Sequence, residues 1–399
     1  MAESLIKRRC VISIGDYEPL DITQQFANFQ RGLQRFSQTW NVATRISPFK
    51  LEADGAIAVW HTETKAPNWV VKTEFRLLNW SDIVKKDFRL WNLERAWRAT
   101  KAIVDFIWSG TCWRYLRLNR RFGFFFLYPL LAFVVVVLIS LWLAAFLGNN
   151  EVPYAPLIAF SIGTGLIFSF VRWVDPVGLP RIVDMWIFLH ELVHLEKINL
   201  AERMGVFSQD LVAQLQSDNF DELLIVGHGI GAVLQPIIVD RAFWALPEFG
   251  KDGRSISLLS LGSALLAVGL HPEGGWVVSP ASRVARDRWV YWAEYQAQED
   301  IFNFFGVNPI TELISDHGKP VLQKIQFKEM ADFDAIRPNN AYKNHRQFVR
   351  ANTKRYFYDY FMACCGPFDL KARVKYPDLM VAAFSSDGRL SSDNLERRK

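Results

Sequence analysis

Two uninterrupted apolar segments lie near the middle of the chain. Residues 122–148 (FGFFFLYPLLAFVVVVLISLWLAAFLG) and residues 152–171 (VPYAPLIAFSIGTGLIFSFV) contain no charged side chain. A helix that spans the hydrocarbon core of a membrane needs about 20 apolar residues, so both segments are long enough. The short polar link between them, NNE, leaves room only for a reversal of direction. The pattern therefore predicts a transmembrane hairpin of two helices over residues 122–173.

The flank before the hairpin, residues 1–121, has the patterns of a small mixed α/β region. A β-branched run at 10–14, ended by Gly15 and Asp16, predicts a first strand. Apolar positions recur at helical spacing over 22–40 and predict an amphipathic helix. Three more strand-like segments predict a β-meander, and a basic helical segment leads from it to the membrane. The segments are 43–49, 56–63 and 68–78 for the strands and 80–107 for the basic helix.

The flank after the hairpin, residues 174–383, alternates helical and strand-like segments. Helices are predicted at 181–200 and 208–217, and strands at 223–226, 255–261, 288–294 and 321–327. Crossovers long enough to hold a helix favour a parallel sheet. We therefore predict an α/β fold with a mostly parallel sheet, in which both flanks build one domain and the hairpin is an insertion. The polar residues 384–399 are expected to form a disordered tail from Ser385 onward.

Composition and charge agree with a membrane protein. Half of the residues are hydrophobic, and 14% are aromatic, including 15 Trp. The net charge of +5 suits an anionic membrane surface, while the chain has no basic stripe interleaved with aromatic residues, so no nucleic-acid partner is expected. Arginines flank the hairpin and its link has none, which by the positive-inside rule predicts an inner or plasma membrane protein with both termini in the cytoplasm. The four cysteines lack C-x-x-C spacing, in keeping with a reducing compartment.

The most informative motif lies at residues 222–235, ELLIVGHGIGAVLQ. A short β-branched run, a tight glycine-rich turn and a helix-compatible stretch follow one another. This is the layout of the G-x-S-x-G nucleophile elbow, with Gly229 in the place of the serine. The segment VGHGIGAVL resembles the VGHSxGAxL elbow of α/β-hydrolase esterases and lipases. The resemblance implies an α/β-hydrolase-like fold whose nucleophile position is degenerate.

The resemblance also implies where the partners of a nucleophile would be. In the order nucleophile, acid, histidine, Asp300 takes the place of the acid and His345 that of the base. The neighbours of Gly229 in the elbow, His228 and Ile230, are implied as ligand contacts. Substitutes for the acid are Glu294 and Glu299, and the substitute for the base is His317. Because Gly229 has no hydroxyl, the resemblance does not extend to acyl-enzyme chemistry.

The same turn also matches a dinucleotide-binding fingerprint. Gly227, Gly229 and Ala232 satisfy G-x-G-x-x-[GA] after a strand and before a helix. That function needs an acidic residue about 20 positions further on, at the end of a second strand. Asp240 falls in a segment that resembles a helix end, and Glu248 falls in a loop. The sequence therefore favours the hydrolase-like interpretation of this turn over the dinucleotide-binding one.

A second motif, HELVH at residues 190–194, offers a different chemistry. On a helix, H-E-x-x-H brings His190 and His194 to one face, where they can bind zinc with Glu191 as general base. Lys197 stands where the extended form of the motif has a glycine. Candidates for a third ligand are Glu202, Glu222 and Glu294. The sequence favours no cofactor. Zinc is the one candidate cofactor, and its site would be HELVH.

Taken together, the patterns predict an integral membrane protein with a cytosolic α/β-hydrolase-like domain that lacks its nucleophile. We expect a pseudoenzyme whose partners are membrane lipids and a lipid-like ligand or a membrane protein. One alternative is a zinc-dependent membrane metallopeptidase that uses HELVH. Another is a lipase- or esterase-like hydrolase with an atypical mechanism, in which a histidine activates water. A third is a structural membrane subunit without a site.

Overall fold

One sheet collects strands from both flanks of the apolar segments. A computed structural model describes residues 5–88, 92–149, 152–169, 179–217, 219–250, 255–314, 319–331 and 341–391. Nine strands in this part of the chain form the sheet. They are β1 Arg8–Ile14, β2 Ala43–Ile46, β3 Lys50–Glu52, β4 Ile57–Ala66, β5 Trp69–Leu78, β6 Glu222–His228, β7 Ile256–Leu261, β8 Val290–Ala297 and β9 Val321–Ile325.

The sheet is mostly parallel, as predicted. Its order is β2-β4-β5-β1-β6-β7-β8-β9, and β3 pairs with β4. In the run β5, β1, β6, β7, β8 and β9, each strand is parallel to the next one, whereas β4 is antiparallel to β2, β3 and β5. In the register of β1 and β6, Arg9 stands opposite Glu222 and Ile14 opposite Gly227. The two flanks therefore share a sheet, and the carboxyl ends of β1 and β6 meet at one edge.

Helices cover both faces of this sheet. In chain order they are α1 Ile22–Trp40, α2 Ser81–Asp87, α3 Asn92–Trp108, α4 Thr111–Leu118, α5 Arg120–Asn149, α6 Ala155–Ser169, α7 Leu179–Val193, α8 Ile198–Gln216, α9 Gly231–Ala245, α10 Leu265–Gly269, α11 Gly275–Arg286, α12 Pro309–Ile314, α13 Phe327–Met330, α14 Ala341–His345, α15 Tyr360–Cys365, α16 Leu370–Lys375 and α17 Leu379–Ala382. One apolar core, with α3, α7, α8 and α9, lies on one face, and a second core, with α1, α15 and α16, lies on the other.

A buried ion pair joins the C-terminal segment to the centre of the sheet. The Arg9 Nε atom of β1 donates to Glu222 Oε2 of β6 over 2.7 Å. The Arg9 guanidinium also donates to the carbonyl oxygens of Cys364, Gly366 and Phe368. A buried charge is tolerated only when it is paired and its donors are satisfied, and Arg9 meets both conditions. This pairing keeps α15 against the face of the sheet that α1 covers.

Several predicted boundaries are wrong. The strand expected at 43–49 ends at Ile46, and a separate short strand, β3, follows it at Lys50–Glu52. The basic helix expected at 80–107 is divided into α2 and α3, with residues 89–91 between them outside the described residues. The helix expected at 181–200 ends at Val193, because Leu195 has a left-handed backbone with φ of 58°. A new helix, α8, then begins at Ile198. The amphipathic helix at 22–40 matches α1 at both ends.

The predicted tail is partly ordered. The expectation of disorder from Ser385 is wrong up to residue 391, because this segment closes a turn and packs on the sheet. Trp69 Nε1 donates to the Gly388 carbonyl over 3.0 Å, and Arg355 Nη1 donates to the Ser385 carbonyl over 2.6 Å. The Leu390 side chain is buried. Residues 392–399 lie outside the described part of the chain.

Among the described residues, one helix is long and apolar enough to cross a membrane. This helix, α5, has 30 residues and a mean hydropathy of 3.0 in its most apolar window. The next helix, α6, is apolar but has only 15 described residues, fewer than the ~20 that a span needs. The two helices approach closely at Gly163, where an added Cβ would lie 2.0 Å from Ser140 Oγ. Residues 150–151 and 170–173 of the predicted hairpin lie outside the described residues.

Candidate functional site

The glycine-rich turn after β6 has the geometry of a tight elbow. Gly229 follows the end of β6 directly and has a left-handed backbone with φ of 55°. An added Cβ on Gly231 would lie 2.1 Å from the Ile14 carbonyl oxygen, and one on Gly227 would lie 2.6 Å from the Ala232 Cα atom. Larger residues at either position would force the strand and helix apart. The turn therefore requires small residues for steric reasons.

The predicted acid and base lie side by side next to this turn. Asp300 follows β8 and His345 ends α14, and both side chains are buried. Asp300 Oδ2 is 2.9 Å from His345 Nδ1. The carboxylate also accepts hydrogen bonds from the Phe302 backbone N–H and the Asn303 side-chain amide. These contacts fix Asp300, so that it orients the imidazole as an acid partner would.

The substitutes for these two residues have other partners. Glu299 Oε2 accepts a hydrogen bond from the Phe327 backbone N–H over 3.2 Å. Glu294 Oε1 accepts one from Gln296 over 2.7 Å, and burial raises the pKa of this carboxyl to about 8. His317 lies outside the described residues. Of the three acids predicted from the sequence, Asp300 is thus the one that pairs with His345.

One site residue, Asp16, is absent from the predicted set. It lies in the loop after β1, at the sheet edge that β1 shares with β6. Asp16 Oδ1 accepts a hydrogen bond of 2.8 Å from the Ile230 backbone N–H, and Asp16 Oδ2 lies 3.4 Å from His345 Nε2. An added Cβ on Gly229 would lie 2.1 Å from Asp16 Oδ1 and 2.9 Å from His345 Nε2. The Asp16 carboxylate therefore fills the space in which a serine side chain would lie.

Asp16 also occupies the backbone donor that would bind an oxyanion in a nucleophile elbow. In nucleophile elbows, the backbone N–H of the residue after the nucleophile stabilises the negative oxygen of the tetrahedral intermediate. Here that residue is Ile230, and its N–H is bonded to Asp16. A substrate carbonyl would have to displace a carboxylate to reach this donor. The sequence held one signal for Asp16: it lies in the short turn that directly follows the first predicted strand. In the structure that strand is β1, which pairs with β6.

His345 is a cation between two anions in this arrangement. Burial disfavours the charged imidazole, whereas Asp300 and Asp16, on its two nitrogens, raise the pKa of His345 to about 10. Burial also disfavours the charge of Asp16, but the hydrogen bond and charge of His345 hold the pKa of this carboxyl well below its usual value. A base must have a free lone pair to accept a proton. At neutral pH the protonated His345 has none.

The ion pair predicts a specific dependence of stability on pH. The pKa of His345 is higher in the folded state than the ~6.5 of a free histidine, so its contribution is complete below about pH 6.5 and is lost as the pH rises towards 10. Over that window we expect the free energy of unfolding to fall by up to ~1.4 kcal/mol per pH unit from this group. Melting curves from pH 6.5 to 9.5 measure it. Asp16→Asn should give a shallower slope, and equal slopes would contradict the assignment.

His228 packs against this ion pair. Its ring is stacked on the His345 ring at a centroid distance of 4.4 Å, and its Nε2 atom lies 3.1 Å from the His345 carbonyl oxygen. Burial and the charge of His345 together lower the pKa of His228 to about 4. His228 is therefore neutral at physiological pH and donates a hydrogen bond that positions the chain at His345.

An apolar cavity of about 170 Å³ opens beside the elbow. Gly229, Ile230, Asp16 and His345 belong to its wall at the elbow. The remaining wall is mostly apolar and comes from the start of α5, from α7 and from neighbouring loops; it includes Phe88, Phe122, Met185, Leu189, Ala264, Phe302 and Tyr342. Arg181 and Arg346 also line it, and the Arg181 guanidinium lies 4.8 Å from the centre of the Tyr342 ring. The cavity thus leads from the buried ion pair to the base of the apolar helix.

Two groups of described residues present metal-ligand atoms within 4.8 Å of one another. The first is Asp16, His228 and His345. The second is Asp105, His194 and His271, beside the predicted HELVH motif. The first group is already an ion pair in which the His345 nitrogens face carboxylates, so its lone pairs are not free for a cation. The second group is the better candidate for a metal ion.

The HELVH residues form part of a histidine cluster around Asp105. The Nε2 atoms of His190, His194 and His271 lie 3.8, 3.0 and 3.1 Å from Asp105 Oδ2. A tetrahedral zinc ion with bonds of about 2.0–2.1 Å separates its ligand atoms by about 3.3 Å, so these spacings are of the right size. The sequence motif identified two of the four residues. Asp105 on α3 and His271 after α10 are distant in the chain and were missed.

Two contacts in the cluster do not fit a peptidase. Glu191 Oε1 accepts a hydrogen bond of 2.8 Å from Arg98, and Glu191 Oε2 is 2.8 Å from Lys197 Nζ, so the expected general base is held in two ion pairs. His271 Nδ1 accepts a hydrogen bond from the Glu273 backbone N–H over 3.2 Å. The Nε2 atom of this histidine therefore bears the proton and donates it to Asp105.

Within the described part of the chain, Asp240 is not the acidic partner that the dinucleotide fingerprint needs. Asp240 lies inside α9, and its carboxylate forms a two-point ion pair with Arg283 at 2.7 and 2.8 Å. It does not follow a strand, as the ribose-binding acid of that motif does. Comparison of the chain with protein-family models, with curated proteins and with solved structures found no match.

Proposed function

We propose that this protein is a membrane-associated α/β-hydrolase-like pseudoenzyme that binds a lipid-like ligand at the elbow. The observation that carries the proposal is the Asp16 carboxylate, which fills the nucleophile's space, occupies the Ile230 N–H and pairs with a protonated His345. A nucleophile, a base and an oxyanion donor are each missing or blocked. Hydrolysis by the usual serine mechanism or by histidine-activated water is not expected.

The cavity supports the lipid-like ligand. Its wall is mainly apolar, it is polar where it meets Asp16 and His345, and it reaches the first turn of α5, the helix long enough to cross a membrane. Sites for small ligands are usually largely apolar with a few polar groups that fix orientation. An acyl chain would therefore enter along Phe122, Met185 and Leu189, with its polar end towards Arg181 or Arg346. Both flanks would lie on the cytoplasmic side of the membrane.

A cavity-filling substitution tests this ligand. We expect Ala264→Phe, which adds a ring to the cavity wall, to reduce crosslinking by a diazirine-bearing fatty acid to about a tenth of the wild-type level or less. The matched control is Ala245→Phe, at an exposed position at the end of α9. Mass spectrometry of the crosslinked full-length protein in detergent should locate the label on residues of α5 and α7. Equal labelling of both variants, or labels elsewhere, would exclude the cavity as the ligand site.

Metal binding at the Asp105 cluster is a second candidate function, favoured by the ligand spacings. If zinc binds there, its ligands are Asp105, His194 and His271, whose ligand atoms lie within 4.8 Å of one another, and His271 gives up its Nε2 proton. The ion-paired Glu191 does not act as a base. We therefore expect no peptidase activity with zinc added. Glu191→Gln should leave the zinc content of the purified protein unchanged, whereas His194→Ala should abolish it. Peptide hydrolysis that depends on Glu191 would instead establish the metallopeptidase alternative.

A further inference from the structure

A second, larger cavity lies on the other side of Asp16. Its volume is about 480 Å³, and Asp16, Glu18, Leu20 and Arg346 belong to the walls of both cavities. It lies where the carboxyl ends of β1 and β6 meet, under the middle of α1. In open α/β sheets, ligands bind outside the carboxyl ends of the strands. The position is therefore that of a ligand site, and the two cavities adjoin at the ion pair.

Four arginines line this cavity. Arg31 and Arg35 lie one turn apart on α1, and Arg346 and Arg350 come from the turn after α14. The described lining includes two carboxylates, and both are engaged. Asp16 pairs with His345, and Glu18 accepts a hydrogen bond from Arg346 Nε. The cavity therefore has an excess of positive charge.

Arg350 is affected both by burial and by the positive charge of its neighbour Arg346. Burial, together with the charge of Arg346, lowers the pKa of Arg350, and Glu18 only partly offsets the effect. Cations that are partly removed from water and repel one another are stabilised by an anion placed among them. Guanidinium groups match phosphate well, because each can donate two parallel hydrogen bonds to its oxygens.

The rest of the lining is aromatic and aliphatic. Phe29, Trp60 and Trp80 contribute to the wall, with Leu77 and Leu78 of β5. An inorganic anion alone would leave this surface without a partner, whereas a phosphate ester with an apolar portion would cover it. The adjoining apolar cavity extends the same surface towards α5.

We propose that the arginine-lined cavity binds the phosphate group of an amphiphilic phosphate ester, the headgroup of a phospholipid, whose chain occupies the apolar cavity. The proposal rests on the proposed function, since it assigns the headgroup of that lipid-like ligand. The phosphate lies among Arg31, Arg35, Arg346 and Arg350, and the chain passes the ion pair at Asp16.

Three probes with matched chemistry test the assignment on the full-length protein in detergent. Oleoyl lysophosphatidate and oleate have the same chain but differ in the phosphate, and glycerol 3-phosphate has the phosphate without the chain. We expect the lysophosphatidate to bind at least about tenfold more tightly than oleate. Arg31→Gln with Arg350→Gln should remove that advantage. Arg45→Gln with Arg288→Gln, two exposed arginines that line neither cavity, should preserve it.

Each outcome decides a different point. Equal binding of lysophosphatidate and oleate would overturn the phosphate site and leave the lipid-like ligand standing. Tight, arginine-dependent binding of glycerol 3-phosphate that Ala264→Phe does not change would support the phosphate site but overturn a lipid as its source. Binding of none of the three would overturn this inference and the proposed function together. Melting temperatures of the variants report whether they are folded.

Discussion

Gly229→Ser is expected to destabilise the protein by about 2–5 kcal/mol. A side chain in the left-handed backbone at φ of 55° costs ~1–2 kcal/mol. The new Cβ would also lie 2.1 Å from Asp16 Oδ1, and such overpacking costs about 1–3 kcal/mol more. The carboxylate cannot move away freely, because it is bonded to the Ile230 N–H and paired with His345. Melting or denaturant curves of the purified protein measure the loss.

Removing the Asp16 carboxylate separates the two contributions to this loss of stability, the steric clash and the backbone strain. In an Asp16→Ala background the clash is relieved, so Gly229→Ser should cost only the backbone strain of ~1–2 kcal/mol. The difference between the two backgrounds is the interaction between positions 16 and 229. An equal cost in both backgrounds would mean that Asp16 does not occupy the nucleophile's space.

Asp300→Ala is expected to destabilise the protein by about 3–5 kcal/mol. The substitution removes the carboxylate that balances the His345 imidazolium inside the protein, and breaking a buried ion pair costs about this much. It also removes the acceptor for the Phe302 N–H and the Asn303 amide. Denaturant unfolding curves of the variant and of the wild-type protein, recorded in the same detergent, measure the difference in the free energy of unfolding.

The neighbouring carboxylate provides the control. Glu299 accepts one backbone hydrogen bond, from Phe327, so Glu299→Ala should cost only ~1 kcal/mol. Adding His345→Gln to Asp300→Ala removes the uncompensated cation and should recover part of the stability. Similar effects of the two alanine substitutions would show that position 300 has no special electrostatic role.

The sequence was sufficient where structure follows from local pattern. Period-3.6 apolar spacing predicted α1 to the residue, and the glycine-rich turn was predicted between β6 and α9. The order of the elbow, Asp300 and His345 along the chain also gave the two residues that the fold places together. These are features that short segments, or the order of elements, determine by themselves.

The features that the sequence did not reveal depend on distant contacts. Asp16 lies 214 positions before its hydrogen-bond partner Ile230, and only the pairing of β1 with β6 brings them together. Glu191 resembles a general base in the motif, yet Arg98 on another helix engages it. Whether a charged side chain forms an ion pair or remains available for chemistry depends on its neighbours in space. A single sequence does not show which residues those neighbours are.

Under the proposed function, the turn keeps the shape of a nucleophile elbow without the reaction of one. Asp16 supplies the negative charge that would otherwise form only in the transition state, so the Ile230 donor and the His345 cation are satisfied in the ground state. Preorganised polar groups that face no partner are costly, and this carboxylate removes that cost. The cavity beside them is then free to serve binding.

The most direct test of this account is labelling with a fluorophosphonate, which reacts with serine nucleophiles that a histidine base activates. The wild-type protein should show no labelling, while Asp16→Ala combined with Gly229→Ser, which restores a hydroxyl beside His345 and frees the Ile230 N–H, should be labelled at the substituted position. Labelling of the wild-type protein that disappears on substitution of a single serine would contradict the central claim that this site is not a serine hydrolase.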